Sequence, residues 1–508
     1  MTSLRSAVLP SGNLCERIHH LQVGVVSRAD TGPPAPRCRW GPSGSLPSVE
    51  PEELAFAGVH RQRELLREGS LKARELVAVY LDRIDRLNPR LNAFVSVRRE
   101  AALAEADEAQ RALDGGDRRP LLGIPFAVKD EQHLAGHVTS YGTGAIAEVA
   151  LGDSDLVGTL REAGAIPVGK TTMPELGMHP FTESVTWGTT RNPWDLARTP
   201  GGSSGGTAAA VAAALVPFAT AGDGGGSIRI PASCCNLFGL KVQRGRVRGD
   251  RDAQAPGGLS VNGVLARRVA DTALLYDVLA GDAWATSLGH AARLAPPKLR
   301  IGVTFNLGAP TRIDSEVRAV VERVAGVLGS LGHVVSPVKV RPGNWPPPFS
   351  IIGLRTLAEA GRAVPAHDGL EARTRSGLRL ASFVSAPMLS WALRRQEELM
   401  ARPCFEDVDL LLTPTMALPP VPVGHWSGAG LLRTGLGVAR FCPFTSLWNF
   451  LGHPAASVPG GFTANRLPVG VQLLARADDE PTLISVAAQL EAELRWPDER
   501  PPDERPPL

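Results

Sequence analysis

"PGGSSGGTAAAVAAALVPFATAGDGGGSIRIPAS" occupies residues 200–233. Ser203 and Ser204 lie among Gly201, Gly202, Gly205 and Gly206, and a nearly featureless Ala/Val run follows. Glycine inside a folded segment costs conformational entropy, so such a cluster marks a tight turn or a close approach of the backbone. A second cluster, Gly224, Gly225 and Gly226, runs directly into Ser227. Between the two clusters, residues 207–221 carry no charge. That pattern predicts a helix wholly inside the protein, which returns through Pro217 and a strand.

Outward from this segment, helix and strand alternate. Residues 71–87 place Leu76, Val77, Tyr80, Leu81, Ile84 and Leu87 on one helical face, with Ser70 as the expected N-cap. "GIPFAVKD" (123–130) reads as a strand, "DSDLVGTLREAG" (153–164) as a helix and "AIPVGK" (165–170) as the next strand. Residues 299–305, 315–332 and 334–340 repeat strand, helix, strand. Such alternation predicts an α/β layered fold with a largely parallel sheet. Nothing rich in Pro or Gly cuts the body, so one large domain over 52–494 is expected. Residues 1–50 read as a disordered extension, and the charged, proline-rich residues 495–508 as a solvated tail.

The chain has 508 residues and a formal charge of +3, without a strong charge block. This argues against a dedicated nucleic-acid or membrane-surface protein. No run of about 18 apolar residues suggests a membrane span, and no secretory leader is evident. The six cysteines (Cys15, Cys38, Cys234, Cys235, Cys404, Cys442) are scattered, as in a reduced, cytoplasmic enzyme.

Three motifs compete for attention. "GAIPVGKT" (164–171) matches a phosphate loop, but the interior reads as a strand and Pro167 lacks an amide the cradle would use. "GGSSG" (201–205) matches a nucleophile elbow, which would make Ser203 or Ser204 the nucleophile of an esterase with His425 or His453 downstream. The preceding "LARTP" is a poor strand for that elbow. His133 and His137 have helical metal spacing, but Gly136 and the lack of an H-E-x-x-H pattern favour solvated loop histidines.

Ser227 follows three glycines whose exposed amides could bind a developing oxyanion. A serine nucleophile needs a base, and no histidine lies near either cluster. Lys129, at the end of an apolar strand, is the candidate, because burial disfavours the ammonium form. The alternative is that Lys129 merely pairs with Asp130 at the surface.

"PGGSSGGTAAAVAA", then "GDGGGSIRIPAS", with "GIPFAVKD" upstream, resembles the amidase signature family. The resemblance spans residues 52–490 and includes "AGAIPVGKTTMPELG", "GTTRNPWD" and "PAASVPGGFTANRLPVGVQLLA". It implies a mixed, mostly parallel central sheet covered by helices on both faces. It also implies a Ser–cisSer–Lys triad: Ser227 as nucleophile, Ser203 after a cis peptide at Gly202 as bridge, and Lys129 as base. The oxyanion would be held by Gly224, Gly225 and Gly226. Ser204, Asp223 and Arg229 would brace the loops, and Gly177 would line the substrate pocket. The expected substrate is a small amide, with no metal, cofactor, nucleic acid or membrane partner; a homodimer is the expected assembly at most.

Within the family, Ile230 stands where tRNA-dependent amidotransferase glutaminase subunits carry glutamine. "DGGGSIRIPAS" is closer in style to general amidases and nylon-oligomer (cyclic amide) hydrolases. Trp345, Phe349, Trp391 and Trp426 suggest an apolar or aryl acyl group. Glu131 stands where many members carry asparagine; a turn at Asp130 is expected to keep its carboxylate off Lys129.

Overall fold

The computed structural model describes residues 50–247, 255–308, 311–402 and 407–502. The expectation of disorder for the N-terminal extension and for the last six residues lies outside them. The 71–87 periodicity forms the helix Ala73–Leu91, which buries Leu76, Val77, Tyr80, Leu81 and Ile84. Its N-cap is Lys72 rather than Ser70, because Glu75 reaches back to accept the Lys72 amide at 3.0 Å.

The strands in chain order are β1 (Phe94–Val97), β2 (Pro125–Lys129), β3 (Ile166–Thr171), β4 (Glu183–Ser184), β5 (Gly188–Thr189), β6 (Phe218–Asp223) and β7 (Gly239–Lys241). They continue with β8 (Val261–Ala266), β9 (Arg300–Val303), β10 (Val334–Pro337), β11 (Leu410–Pro414), β12 (Ala455–Phe462) and β13 (Pro468–Ala475). One sheet runs β1-β3-β2-β6-β8 and another β10-β9-β11-β13-β12-β7; β4 and β5 form a separate ribbon. A bridge between Phe238 and Ala266 joins the two sheets beside β7 and β8.

The sheet is mixed. β3, β2 and β6 are parallel, as are β10, β9 and β11, whereas the other pairings of the two sheets are antiparallel. The antiparallel share reflects short connections such as that between β12 and β13, which cannot make a crossover. Every residue of β2, β3, β6, β8, β11 and β13 is buried, so these strands are covered on both faces.

The Ala/Val run folds as the sequence predicts. The helix Gly205–Ala212 and strand β6 are buried at every position. The phosphate-loop match is β3 itself, where Lys170 is spent on an ion pair with Asp130 at 3.0 Å and a bond to Val138 O at 2.9 Å. The predicted solvated tail instead packs as far as Pro501 among the described residues. Trp496 is buried and its Nε1 donates to Arg267 O at 3.1 Å, while Arg267 donates to Glu499 O at 2.8 Å. One large indole outweighs the surrounding charge pattern. No helix among the described residues is long and apolar enough to cross a membrane.

Candidate active site

Lys129 ends β2 with its side chain 1% exposed. Its Nζ donates to Ser203 Oγ at 2.9 Å, and its backbone amide donates to Thr220 Oγ1 of β6 at 2.7 Å. The surface pairing with Asp130 does not occur. Consecutive strand residues face opposite ways, and Asp130 turns to Lys170 and to Ser140, whose hydroxyl it accepts.

The first glycine cluster is a turn clamped on all sides. The Gly202–Ser203 peptide is cis. A Cβ on Gly202 would lie 2.7 Å from His179 O and Phe181 N, so only glycine fits there. Ser204 Oγ donates to Gly222 O at 3.3 Å and accepts the Gly222 amide at 3.4 Å, tying this turn to β6. Lys129, Ser203 and the strand leading to Ser227 therefore share one scaffold.

Ser227 is half-buried at the end of the second cluster. Among the described residues Ser203 Oγ is hydrogen-bonded to Lys129 and not to Ser227. Asp223 organises this loop: its Oδ1 accepts the Gly226 amide at 2.7 Å and its Oδ2 the Ile228 amide at 3.2 Å. This corrects the expected role of Gly226, whose N–H already serves the Asp223 carboxylate. The amides of Gly224, Gly225 and Ser227 engage no partner among the described residues.

Asp223 is fully buried and forms a two-pronged ion pair with Arg229, Nε to Oδ2 and Nη2 to Oδ1, both at 2.9 Å. Burial opposes its ionisation. The Arg229 charge and hydrogen bonds, with that of Asn449, outweigh burial and hold the carboxyl well below its usual range. Arg229 further donates to Gln472 Oε1 at 2.7 Å, Asn449 Oδ1 at 2.6 Å and Thr445 O at 2.9 Å. Thr445 and Ser446 donate to Gly225 O at 2.6 and 3.1 Å. Thr445, Ser446, Asn449 and Gln472 escape the sequence reading. The available signal was a polar asparagine inside the otherwise apolar "LWNFL" (447–451).

Gly177 lies beside Ser203; a Cβ there would sit 3.5 Å from Ser203 Oγ. A Cβ on Gly225 would sit 3.7 Å from Phe349 Cζ, and Trp345 packs edge-on to Phe349 at 5.8 Å. The other two aromatics are elsewhere. Trp426 is buried on Phe181 at 4.6 Å, and Trp391 is 43% exposed.

Neither elbow histidine is bonded to Ser203 or Ser204. His425 meets Trp426 edge-on at 4.9 Å. Burial, with Lys241 and Arg244 nearby, pushes His453 down to about 4. His137 accepts from Arg98 Nε at 3.0 Å, and His133 Nδ1 lies 3.2 Å from Thr139 Oγ1. Among the described residues, no group of three His, Cys, Asp or Glu is placed to hold a metal.

Glu131 departs from expectation. β2 stops at Lys129 and the chain turns at Asp130, yet Glu131 Oε1 lies 2.9 Å from Lys129 Nζ. The side chain is long enough to double back across the turn.

Residues 75–484 match the Amidase family model. The putative amidase AmiB2 of Mycobacterium tuberculosis is 43% identical over 472 residues, covering 89% of this chain and 99% of that protein. The substrate complex of 6-aminohexanoate cyclic dimer hydrolase superposes with a TM-score of 0.81 at 29% identity, over 89% of this chain and 100% of that one. A bacterial aryl acylamidase of the amidase signature family gives 0.78 at 27% identity, over 89% and 99%. Matches that run almost end to end, on a chain that carries both glycine-framed serines, mean that it belongs to the amidase signature family, whose members act on carbon–nitrogen amide bonds.

Proposed function

We propose that the protein is a serine amidase that cleaves a small carboxylic amide through an acyl-enzyme. The observation that carries this reading is the buried contact of Lys129 Nζ with Ser203 Oγ at 2.9 Å. In the proposed reaction, Lys129 in its amine form takes the Ser203 proton while Ser203 takes that of Ser227. Ser227 Oγ attacks the amide carbon. The developing oxyanion is held by backbone amides of Gly224, Gly225 and Ser227, aimed where charge builds up. The C–N bond breaks as the leaving amine receives a proton back through Ser203. Water, activated along the same route, then cleaves the acyl ester and releases the carboxylate.

Phe349 over the glycine loop, backed by Trp345, favours an apolar or aryl acyl group. A second reading, a cyclic amide of the nylon-oligomer type, draws support from the likeness to the cyclic dimer hydrolase. Ile230 disfavours the glutaminase reading.

Labelling with a fluorophosphonate probe followed by peptide mass spectrometry tests the assignment. The expected tag is on Ser227, and it is lost in Lys129→Ala. A tag on Ser203 or Ser204 would overturn the triad and restore the elbow. Hydrolysis of linear aryl amides against cyclic amide dimers then separates the two substrate readings.

A further inference from the structure

We infer that Glu131 is a positioning residue that holds Lys129 as an ammonium ion in the resting enzyme. The inference rests on the proposed role of Lys129 as the base. It starts from two observations on the same carboxylate. The carboxylate Oε1 is 2.9 Å from Lys129 Nζ, and the backbone of β6 is shaped to admit it. A Cβ on Gly222 would lie 2.3 Å from that same Oε1, so any side chain at 222 would expel the carboxylate from its slot.

The other charges near Lys129 are spent elsewhere. On its own segment, Asp130 pairs with Lys170 of β3 at 3.0 Å. On β6, Asp223 pairs with Arg229 at 2.9 Å, and Thr220 accepts the Lys129 backbone amide at 2.7 Å. From β8, Asn262 accepts Gln132 Nε2 at 2.9 Å. On the glycine turn, Ser203 is neutral and accepts from Nζ. Among the described residues, Glu131 is thus the carboxylate paired with Lys129. An opposite charge at contact distance inside a largely buried site favours the charged amine.

The pairing has a chemical consequence. An ammonium donates to Ser203 but cannot accept its proton. One Nζ–H bond must break before the first turnover, with the proton leaving to bulk water and the electron pair staying on Nζ. Glu131 keeps its negative charge and opposes this step. It also fixes Nζ between two oxygens, so the lone pair forms where Ser203 can reach it. Such an enzyme works best on the alkaline side and is restrained at lower pH.

The test reads Lys129 directly and by activity. The chain contains six lysines, so selective 13Cε-lysine labelling gives few NMR signals, and Lys129→Met identifies that of Lys129. Wild-type Lys129 is expected to stay an ammonium to a pH about one unit higher than in Glu131→Gln. The acid limb of kcat/KM on an amide substrate moves down with it, giving about tenfold more activity at a pH on that limb. Gly222→Ala keeps both charges but displaces the carboxylate, and shifts both readouts the same way. Identical Lys129 titrations in wild type and both variants, or an amine in the wild type at neutral pH, would overturn the inference. A titration that moves while the activity limb stays put would keep the hold of Glu131 on Lys129. That outcome would remove Lys129 from the role of base.

Discussion

Asn449 and Asp223, 226 positions apart in the chain, are joined by two bonds from one side-chain amide: Asn449 Nδ2 donates to Asp223 O at 2.6 Å and to Asp223 Oδ1 at 2.8 Å. The same amide donates to Leu259 O at 3.1 Å. A residue from the second half of the chain thereby braces the turn that carries Ser227.

The Asp223–Arg229 pair is the centre of that brace. Removing one partner of a buried pair leaves the other charge without compensation, a loss of about 3–5 kcal/mol. Arg229→Met is expected to lower the urea midpoint accordingly. Adding Asp223→Asn to it restores part of the loss, because the stranded carboxylate is gone. Additive losses in the double variant would mean the two residues act separately.

Thr445 holds Gly225 by its carbonyl, and so aims the amides proposed to meet the oxyanion. Thr445→Val keeps the shape and deletes the donor. A lost hydrogen bond is worth about 1 kcal/mol, or roughly fivefold in rate. The decrease is expected in kcat with KM nearly unchanged, since the contact matters as charge develops. A change confined to KM would place the effect in substrate binding.

Phe349 is proposed to contact the acyl group. Phe349→Ala is expected to raise KM for an aryl or alkyl amide about tenfold, the worth of roughly 1.4 kcal/mol of buried apolar surface. The value of kcat should hold, since the ring carries no group that takes part in proton transfer. Steady-state kinetics on a series of amides of increasing acyl size checks this, and an unchanged KM across the series would move the acyl site elsewhere.

Stability should fall as pH rises through one carboxyl. Burial pushes Glu491 up to about 7, against the Val269 amide that pulls it down. In the folded state Glu491 holds a proton that the unfolded chain has released above about 4.5. The folded protein therefore binds more protons across that window, and its stability declines from about pH 4.5 to 7 before levelling. Urea midpoints at pH 5 and pH 8 are expected to differ less in Glu491→Gln than in wild type. Equal differences would show that other groups carry the dependence.

The parts of the site that follow local rules were legible in the sequence. Glycines at 201–206 and 224–226 announced two tight turns, and the uncharged run between them announced a buried helix and strand. The apolar run ending at Lys129 announced a strand, but left open whether its last residue is buried or pairs with Asp130 at the surface. The bracing residues were not legible, because Thr445, Ser446, Asn449 and Gln472 act through side chains brought from far along the chain. Nor was the loss of the Gly226 amide to Asp223, which depends on how one turn curls back upon a carboxylate.

Lys129 and Glu131 mark the division most sharply. Their spacing along the chain, the apolar residues before them and the glycine at 222 are properties of the sequence, and so is the expected turn at Asp130. Whether the carboxylate clears the lysine or grips it is a matter of a few ångströms. That distance is set by packing β2 against β6 and by the space left over Gly222. Local patterns act through neighbours in the chain, so a single sequence displays them. Ion pairs and hydrogen bonds act through space, and they exist only once folding has brought distant segments within about 3 Å of each other.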